Sequence, residues 1–525
     1  MARALSWLEG VALVALLAVS AGGGHAARAA APAPAPEQDP EAARERAIFG
    51  EPATEPAPVE GNGTAAEGEG ALPTVPGAVP GDQRDEDAIF GGSSGEDAGP
   101  GEPAGGPGGA SDARFGAASP GYELQEDPLT IGGMLYLRFV STFNDGVPFE
   151  DAALAMPNLL DLYLDARPDP RVRGFFSGRL RYDPTVAAGE RDLLGQEVEA
   201  AKVLVDQLWV KTDIARRVFL TVGQQRIKWG ASRLFNPTDF INSVQRDPLA
   251  LFDERTGVPL VKVHVPIESL GWNAYGLLLF DGAETLSDVG YALRLEMVFG
   301  TAEVSLSGAF GGGRKTHLGA DLSAGVGDFD VTVEVGVADE TDTPRYAGDF
   351  DLGTLTLPTS EPYGKWAARV SAGIQYEFKP NDDDVMALGV EYYYNPLGYS
   401  DTDLYPYLLL TGAARSLELG QHYAGLVWAW PSPLSWDDGS IAVSTLANLS
   451  DPSFVSRLDV SARVHTRLTV EAYVQAHYGK RGGELRFGLD VPDLPAIPGV
   501  LDEPIAAFTV PPPLLVVGLN LRVAL

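Results

Sequence analysis

The side chains that could do chemistry in this chain are few, and their spacing argues against covalent catalysis. Cysteine is absent, which excludes disulfides, thiolate metal sites and a lipidated cysteine together. The six histidines (His25, His264, His317, His422, His465 and His477) have neither metal-ligand spacing nor an adjacent serine or carboxylate pattern. The sequence contains no G-x-S-x-G, no H-E-x-x-H and no glycine-rich phosphate loop between a strand and a helix. No enzyme, cofactor or metal is expected. With 72 acidic against 38 basic residues and a net charge of −34, no nucleic-acid partner is expected either.

What the sequence does carry is charge at a period of two. Arg173, Arg179 and Arg181 fall on one face of a strand-like stretch, and Arg226 and Lys228 follow two such stretches later. Strict alternation from Val222 would turn Arg226 and Lys228 outward, so a bulge at Gly223 is expected to re-aim them. Residues 229–257 then bring Asp239, Arg246, Asp247, Asp253, Glu254 and Arg255 beside an apolar patch at 249–252. Further along, Glu296, Glu303, Glu334, Glu377, Glu391 and Glu471 fall on the wet faces of their strands. Facing water, such groups would set up a transverse field that orients and filters solutes. The plainer alternative is a set of solvated polar faces.

The elements that must position these charges are strands. From Pro128 onward, alternating segments of about ten residues are separated by turn residues, the pattern of a transmembrane barrel. In 158–167, Leu160, Leu162 and Leu164 alternate with Asp161, Tyr163 and Asp165; in 366–379, Trp366, Val370, Ile374 and Tyr376 alternate with Arg369, Ser371 and Gln375. Eighteen segments are expected, near 129–142, 158–167, 172–182, 203–212, 217–228, 258–266, 271–281, 289–299, 302–310, 316–326, 329–338, 366–379, 385–394, 419–430, 440–449, 454–465, 467–478 and 514–525, with sixteen as the alternative. Every even-numbered segment is followed by a short connection, and every long gap follows an odd-numbered one. A barrel with both termini on one side must obey that parity; a soluble sandwich has no reason to. Phe299, Tyr376, Phe378 and Trp428 fall at the short-connection ends, and Tyr392 and Tyr394 at the opposite end, where amphipathic rings favour bilayer interfaces.

The first 127 residues read differently. Residues 1–29 have Arg3, an apolar stretch at 11–19 and a small-x-small site at Ala27 to Ala29, which reads as a secretory signal peptide. Residues 30–127 are rich in Pro, Ala, Gly and Glu, with 20 acidic and 4 basic residues. Such a segment buries too little apolar surface to offset its ordering entropy, so disorder is expected. Phe49, Phe90 and Phe115 recur there in a short frame ending in Phe-Gly. They are candidate anchors for a periplasmic partner, or drift in a biased sequence.

The last twelve residues place Leu515, Val517, Leu519, Leu521, Val523 and Leu525 on one face. This ending resembles that of bacterial outer-membrane β-barrels, with Leu525 standing where those chains usually end in Phe. The stretch V-G-Q-Q-R-I-K-W-G followed by N-P-T-D-F resembles uncharacterised porin-like families. In general porins the connection after the fifth strand folds into the pore, and here that connection is 229–257. The resemblance implies an all-β antiparallel transmembrane barrel, 128–525, in the outer membrane of a Gram-negative-type bacterium. It implies a bilayer and small hydrophilic solutes as partners, with passive diffusion as the function and a homo-oligomer compatible with it. The competing expectation is a tethering protein that docks a periplasmic partner through its acidic N-terminal segment.

Overall fold

The computed structural model describes residues 128–190, 197–242, 244–250, 252–354, 356–381, 384–493 and 507–525. The signal-peptide, linker and Phe49/Phe90/Phe115 expectations lie outside the described residues.

Eighteen antiparallel strands close into one barrel. In chain order they are β1 (Leu129–Asn144), β2 (Asn158–Asp169), β3 (Val172–Tyr182), β4 (Ala201–Ile214), β5 (Val218–Gln225), β6 (Val258–Ile267), β7 (Trp272–Leu279), β8 (Gly290–Phe299) and β9 (Ala302–Gly311). The second half comprises β10 (His317–Val326), β11 (Phe329–Asp339), β12 (Trp366–Phe378), β13 (Met386–Tyr394), β14 (His422–Pro431), β15 (Gly439–Asn448), β16 (Ser453–His465), β17 (Leu468–Gly479) and β18 (Pro513–Ala524). A three-residue strand, Ala153–Ala155, adds to the edge of β1. Each strand pairs with its neighbours in sequence, and β18 pairs with β1 from Met134 opposite Ala524 to Asn144 opposite Pro513. The Leu525 N–H donates to the Gly133 carbonyl at 2.9 Å, so the terminal residue completes the seam. Closure satisfies every edge, which an apolar solvent requires.

Alternation sorts the side chains as the sequence predicts. Leu162, Leu180, Leu208, Leu293, Leu318, Ile374, Val390 and Leu519 stand exposed on the outside. Their neighbours Asp161, Arg179, Arg294, Asp321, Ser371, Glu391 and Asn520 are buried on the inside. A continuous exposed apolar belt of this kind is matched to lipid, not to water. Rings gather near the short-turn end, with Trp272 on Phe299 at 5.6 Å, Phe329 on Tyr376 at 5.0 Å and Trp428 on Trp430 at 6.1 Å.

Every even-numbered strand that leads to another is followed by a short turn, two residues in four of the eight cases, at 170–171, 300–301, 327–328 and 466–467. Gly300 and Gly327 open two of these with φ of 64°, the left-handed conformation that tight hairpins need. Two boundaries differ from expectation by three residues, and the others by two or fewer. β5 stops at Gln225, three residues early, because the chain leaves the wall there. β14 starts at His422 because the preceding amides are taken elsewhere: the Leu419 N–H donates to Glu484 at 3.2 Å and the Gly420 N–H to the Tyr423 hydroxyl at 2.6 Å.

Candidate functional site

The connection after β5 folds into the lumen and reaches the inner wall on nearly all sides. Its path follows from what each end of it can bury or pair. Ile227, Trp229 and Ile241 pack in one apolar cluster with Leu260, Leu277, Leu279, Ala292 and Ala309, inward residues of β6 to β9. Leu234 and Phe235 cross to Tyr393, Tyr423 and Val427, with the Phe235 ring stacked on Tyr393 at 5.0 Å. Phe252 returns to Met134, Tyr136, Val140 and Leu159 on β1 and β2. Fully burying one such ring contributes roughly 1.5–3 kcal/mol. The patch expected at 249–252 therefore does pack on the wall, but in two places: Leu249 joins the Leu234 cluster and Phe252 the β1 cluster.

Charge fixes the segment's C-terminal end. The Glu254 carboxylate accepts from Arg138 Nη1 at 3.2 Å and from Arg181 Nη2 at 3.0 Å. Arg179 donates to the Glu254 carbonyl at 2.8 Å while gripping Asp161 with two bonds of 2.8 and 2.7 Å. Arg226 donates to Asp206 at 3.1 and 2.8 Å and to the Asp253 carbonyl at 3.1 Å. Arg255 bonds Asp253 and reaches Asp239 at 2.9 Å. Three further residues expected at the constriction are placed less specifically or elsewhere. Lys228 and Arg246 are half-buried on the segment. Arg173 lies nearer the short turns, paired with Asp165 at 2.9 Å. Thus two of the three ladder arginines hold the segment, and being nearly or wholly buried they do not line open water.

The other end is held by wall carboxylates. Glu391 accepts three consecutive backbone N–H groups, from Arg233 at 3.0 Å, Leu234 at 3.1 Å and Phe235 at 2.6 Å, and the Ser371 hydroxyl at 3.0 Å. Glu334 accepts the Ser232 N–H and the Thr238 hydroxyl, the latter at 2.9 Å. Gly336 lies under Pro237, where a Cβ would strike the backbone. Two of the six inward glutamates expected to supply a field are therefore committed to holding the segment. Of the others, Glu471 bonds Tyr136 and pairs with Arg522 at 3.2 Å, Glu296 pairs with Arg294 at 2.8 Å, and Glu377 accepts from Gln375 at 3.4 Å.

The expected bulge lies one strand away from Gly223. Register through Gly223 is unbroken, with Val222, Gly223 and Gln224 opposite Val210, Trp209 and Leu208. Gly223 is needed because its φ is 130° and a Cβ would meet the Leu208 carbonyl. The irregularity falls in β4, where Ser177 faces Gln207 and Gly178 faces Val205, leaving Asp206 as the extra residue. The bulge turns both Asp206 and Gln207 inward. Arg226 reaches the lumen because β5 has already ended, and Asp206 meets it there. The sequence held a signal for this: the apolar outward positions shift parity between Val205 and Leu208. Arg138 and Asp206 carried no other mark of their role.

On the segment itself, burial pushes the Asp247 carboxyl up to about 6, although the Leu249 N–H donates to it at 2.8 Å. Arg457 and Arg246 act in the opposite direction.

A closed transmembrane barrel whose post-β5 connection is folded into the lumen has the layout the sequence resemblance implied. The architecture is porin-like. No family model matches the sequence and no curated protein is significantly similar to it. Solved structures similar to the chain include a mutant of Rh. blastica porin and a triple mutant of Rhodopseudomonas blastica porin. Each is 11% identical, with a TM-score of 0.37, over 76% of this chain and 100% of that one. The porin-like reading rests on the barrel and its inserted segment.

Proposed function

We propose that the protein is an outer-membrane channel for passive diffusion of small hydrophilic solutes, with residues 229–257 as the element that narrows it. The observation that carries this reading is the segment's attachment across the lumen, from Glu254 on β1 and β3 to Glu334 and Glu391 on β11 and β13. An element so held reduces the cross-section of a water-filled tube where resistance is greatest. Around it, wall residues from distant strands, including Arg138, Ser305, Ser371, Arg457 and Asn520, are almost wholly buried, which supports a lumen largely filled at that level. The outward apolar belt supports the bilayer as its solvent.

Planar-bilayer recording of the purified full-length chain tests the reading. Stepwise currents that scale with salt are expected, and liposomes carrying the protein should swell in small sugars. A barrel that inserts and passes neither ions nor sugars would sink it.

A further inference from the structure

A cavity of about 620 Å³ opens at the end of the barrel away from the short turns. It is lined by Tyr394, the last residue of β13, and by the connection from β11 to β12, in which Pro344–Ala347 pairs with Thr359–Pro362 as a hairpin. Strand alternation puts Tyr394 on the outside of the wall. Val390 and Tyr392 on the same face are exposed, while Tyr393 between them stacks on Phe235 in the lumen. Tyr392 and Tyr394 stand where rings favour a bilayer interface, and His422 Nδ1 lies 2.6 Å from the Tyr392 hydroxyl beside them. The cavity thus meets the membrane at headgroup level, outside the lumen.

An interfacial belt accounts for tyrosines on the wall but not for a polar hairpin set against them. The hairpin is docked. The Tyr346 ring meets Tyr407 at 5.1 Å and its N–H donates to the Tyr399 hydroxyl at 3.0 Å. Arg345 donates to the Leu397 and Gly398 carbonyls at 3.2 and 3.3 Å, with its guanidinium 4.9 Å from the Tyr399 ring centre. Glu361 stands directly opposite Arg345 in the hairpin register. Lys365 is exposed, its ammonium 5.0 Å from the Tyr363 ring centre, and the Thr359 hydroxyl donates to the Ala347 carbonyl at 3.2 Å. Both signs of charge therefore face the cavity, each beside a neighbour of its own, and the lining calls for no net charge in a ligand. It offers a carboxylate, a hydroxyl oxygen and an ammonium next to the half-buried rings of Tyr363 and Tyr394.

We propose that this cavity holds the sugar headgroup of a lipid in the leaflet at that end of the barrel. Each hydroxyl of a pyranose both donates and accepts, which suits a lining of carboxylate, hydroxyl and ammonium together. The C–H face of the sugar packs on a tyrosine ring by dispersion. The volume falls within the range of small-molecule sites, about 300–1,000 Å³. An outward opening leaves the acyl chains on the apolar belt, where a free sugar gains nothing. The inference goes beyond the channel and rests only on the barrel spanning a membrane.

The probe is monoglucosyl dioleoylglycerol, added to the full chain in a sugar-free polyoxyethylene detergent and counted by native mass spectrometry. One saturable adduct is expected. It should be about tenfold or more tighter than dioleoyl phosphatidylcholine or dioleoyl phosphatidylglycerol, which lack the sugar, and than methyl glucoside, which lacks the chains. These comparisons need no variant. The pairs Glu361→Ala/Lys365→Ala, both exposed, and Tyr363→Ala/Tyr394→Ala should each weaken the adduct by about tenfold in protein that still migrates as folded. Tyr291→Ala/Phe310→Ala removes a stacked, exposed pair at the same end of the wall and should leave the adduct unchanged. Glucosyl lipid held no better than either phospholipid, or methyl glucoside held as well as the lipid, overturns the proposal. So does an adduct that survives either cavity pair, or one lost equally with the Tyr291 and Phe310 pair. Conductance without the glucosyl adduct would remove the site and leave the channel, whereas an adduct without conductance would do the reverse.

Discussion

The inserted segment is held at two places by opposite chemistries. At β1, β3 and β4, charge meets charge: Arg138 and Arg181 on the Glu254 carboxylate, Arg179 on Asp161, Arg226 on Asp206. At β11 and β13, carboxylates meet neutral donors, with Glu391 accepting three successive backbone N–H groups and Glu334 an N–H and a hydroxyl. The first anchorage desolvates ions of both signs, and the attraction does little more than offset that cost. Its worth is specificity of place, since removing one partner strands the others. The second desolvates ions of one sign, the Glu334 and Glu391 carboxylates, and returns charge-assisted bonds largely from backbone groups that any sequence possesses.

The largest effect should come from removing the first anchorage with the chain that bears it. Deleting residues 245–254 takes away Glu254, Asp247 and Phe252 and leaves the wall intact. Single-channel conductance should rise severalfold, since the narrowest section dominates the resistance of a water-filled tube. Conductance at the wild-type level would mean the segment narrows nothing.

A finer break is Glu254→Ala. It leaves Arg138 and Arg181 without the carboxylate that joins them, both on strands that cannot move apart. Stranding buried charge costs about 3–5 kcal/mol. The expected outcome is a barrel that still migrates as folded protein while protease gains access to the segment. A protected segment in this variant would show that the arginines position nothing.

The two anchorages also differ in how far they could be read from the sequence. The barrel was legible almost entirely, because lipid outside and water inside impose alternation on every strand. Connection parity then favoured eighteen strands over sixteen without any knowledge of pairing, and the barrel has eighteen. Arg179 and Arg181 stood out as charges at period two, and Glu254 as an acid in a long connection. Which way their charges would be spent was not legible: the same residues serve as free lumen charges or as clamps, and only the path of the segment decides. Glu334 and Glu391 were readable as inward acids, but their partners are backbone amides, which leave no trace in composition. Asp206 was hidden by a bulge whose only mark is one parity shift in an apolar run.

Glu391→Gln sharpens the comparison from the other side. The variant keeps size and one acceptor oxygen while losing the charge and one of the acceptors shared among Arg233, Leu234, Phe235 and Ser371. Bonds to a charged acceptor contribute about 1.5–3 kcal/mol each and neutral ones about half that. The expected loss is smaller than for Glu254→Ala, and protease should cut near residues 232–235 before it cuts near 254. Equal cutting at both places would mean the segment detaches as one unit and the two anchorages are not independent.

The smallest expected effect lies between the anchorages, at Asp247. Burial raises its carboxyl to about 6, against an ordinary value near 3.9 in a released, solvated segment. The docked state therefore binds the proton more tightly than the released one. Docking gains stability as pH falls through about 6, reaches its full value below about 3.9, and loses that contribution as pH rises through 6. Arg457 and Arg246 limit the gain, because both favour the carboxylate form. Protease release of the segment should accordingly slow by a few-fold between about pH 7.5 and pH 5 once the protease's own pH response is corrected for. Asp247→Asn should flatten that dependence and, at the higher pH, hold the segment more firmly than the wild type. Its Leu249 N–H would still find an acceptor in the amide oxygen, so the local turn is kept. If the wild-type segment instead docks more firmly at the higher pH, the arginines outweigh burial, and Asp247 belongs with the charge-paired anchorage.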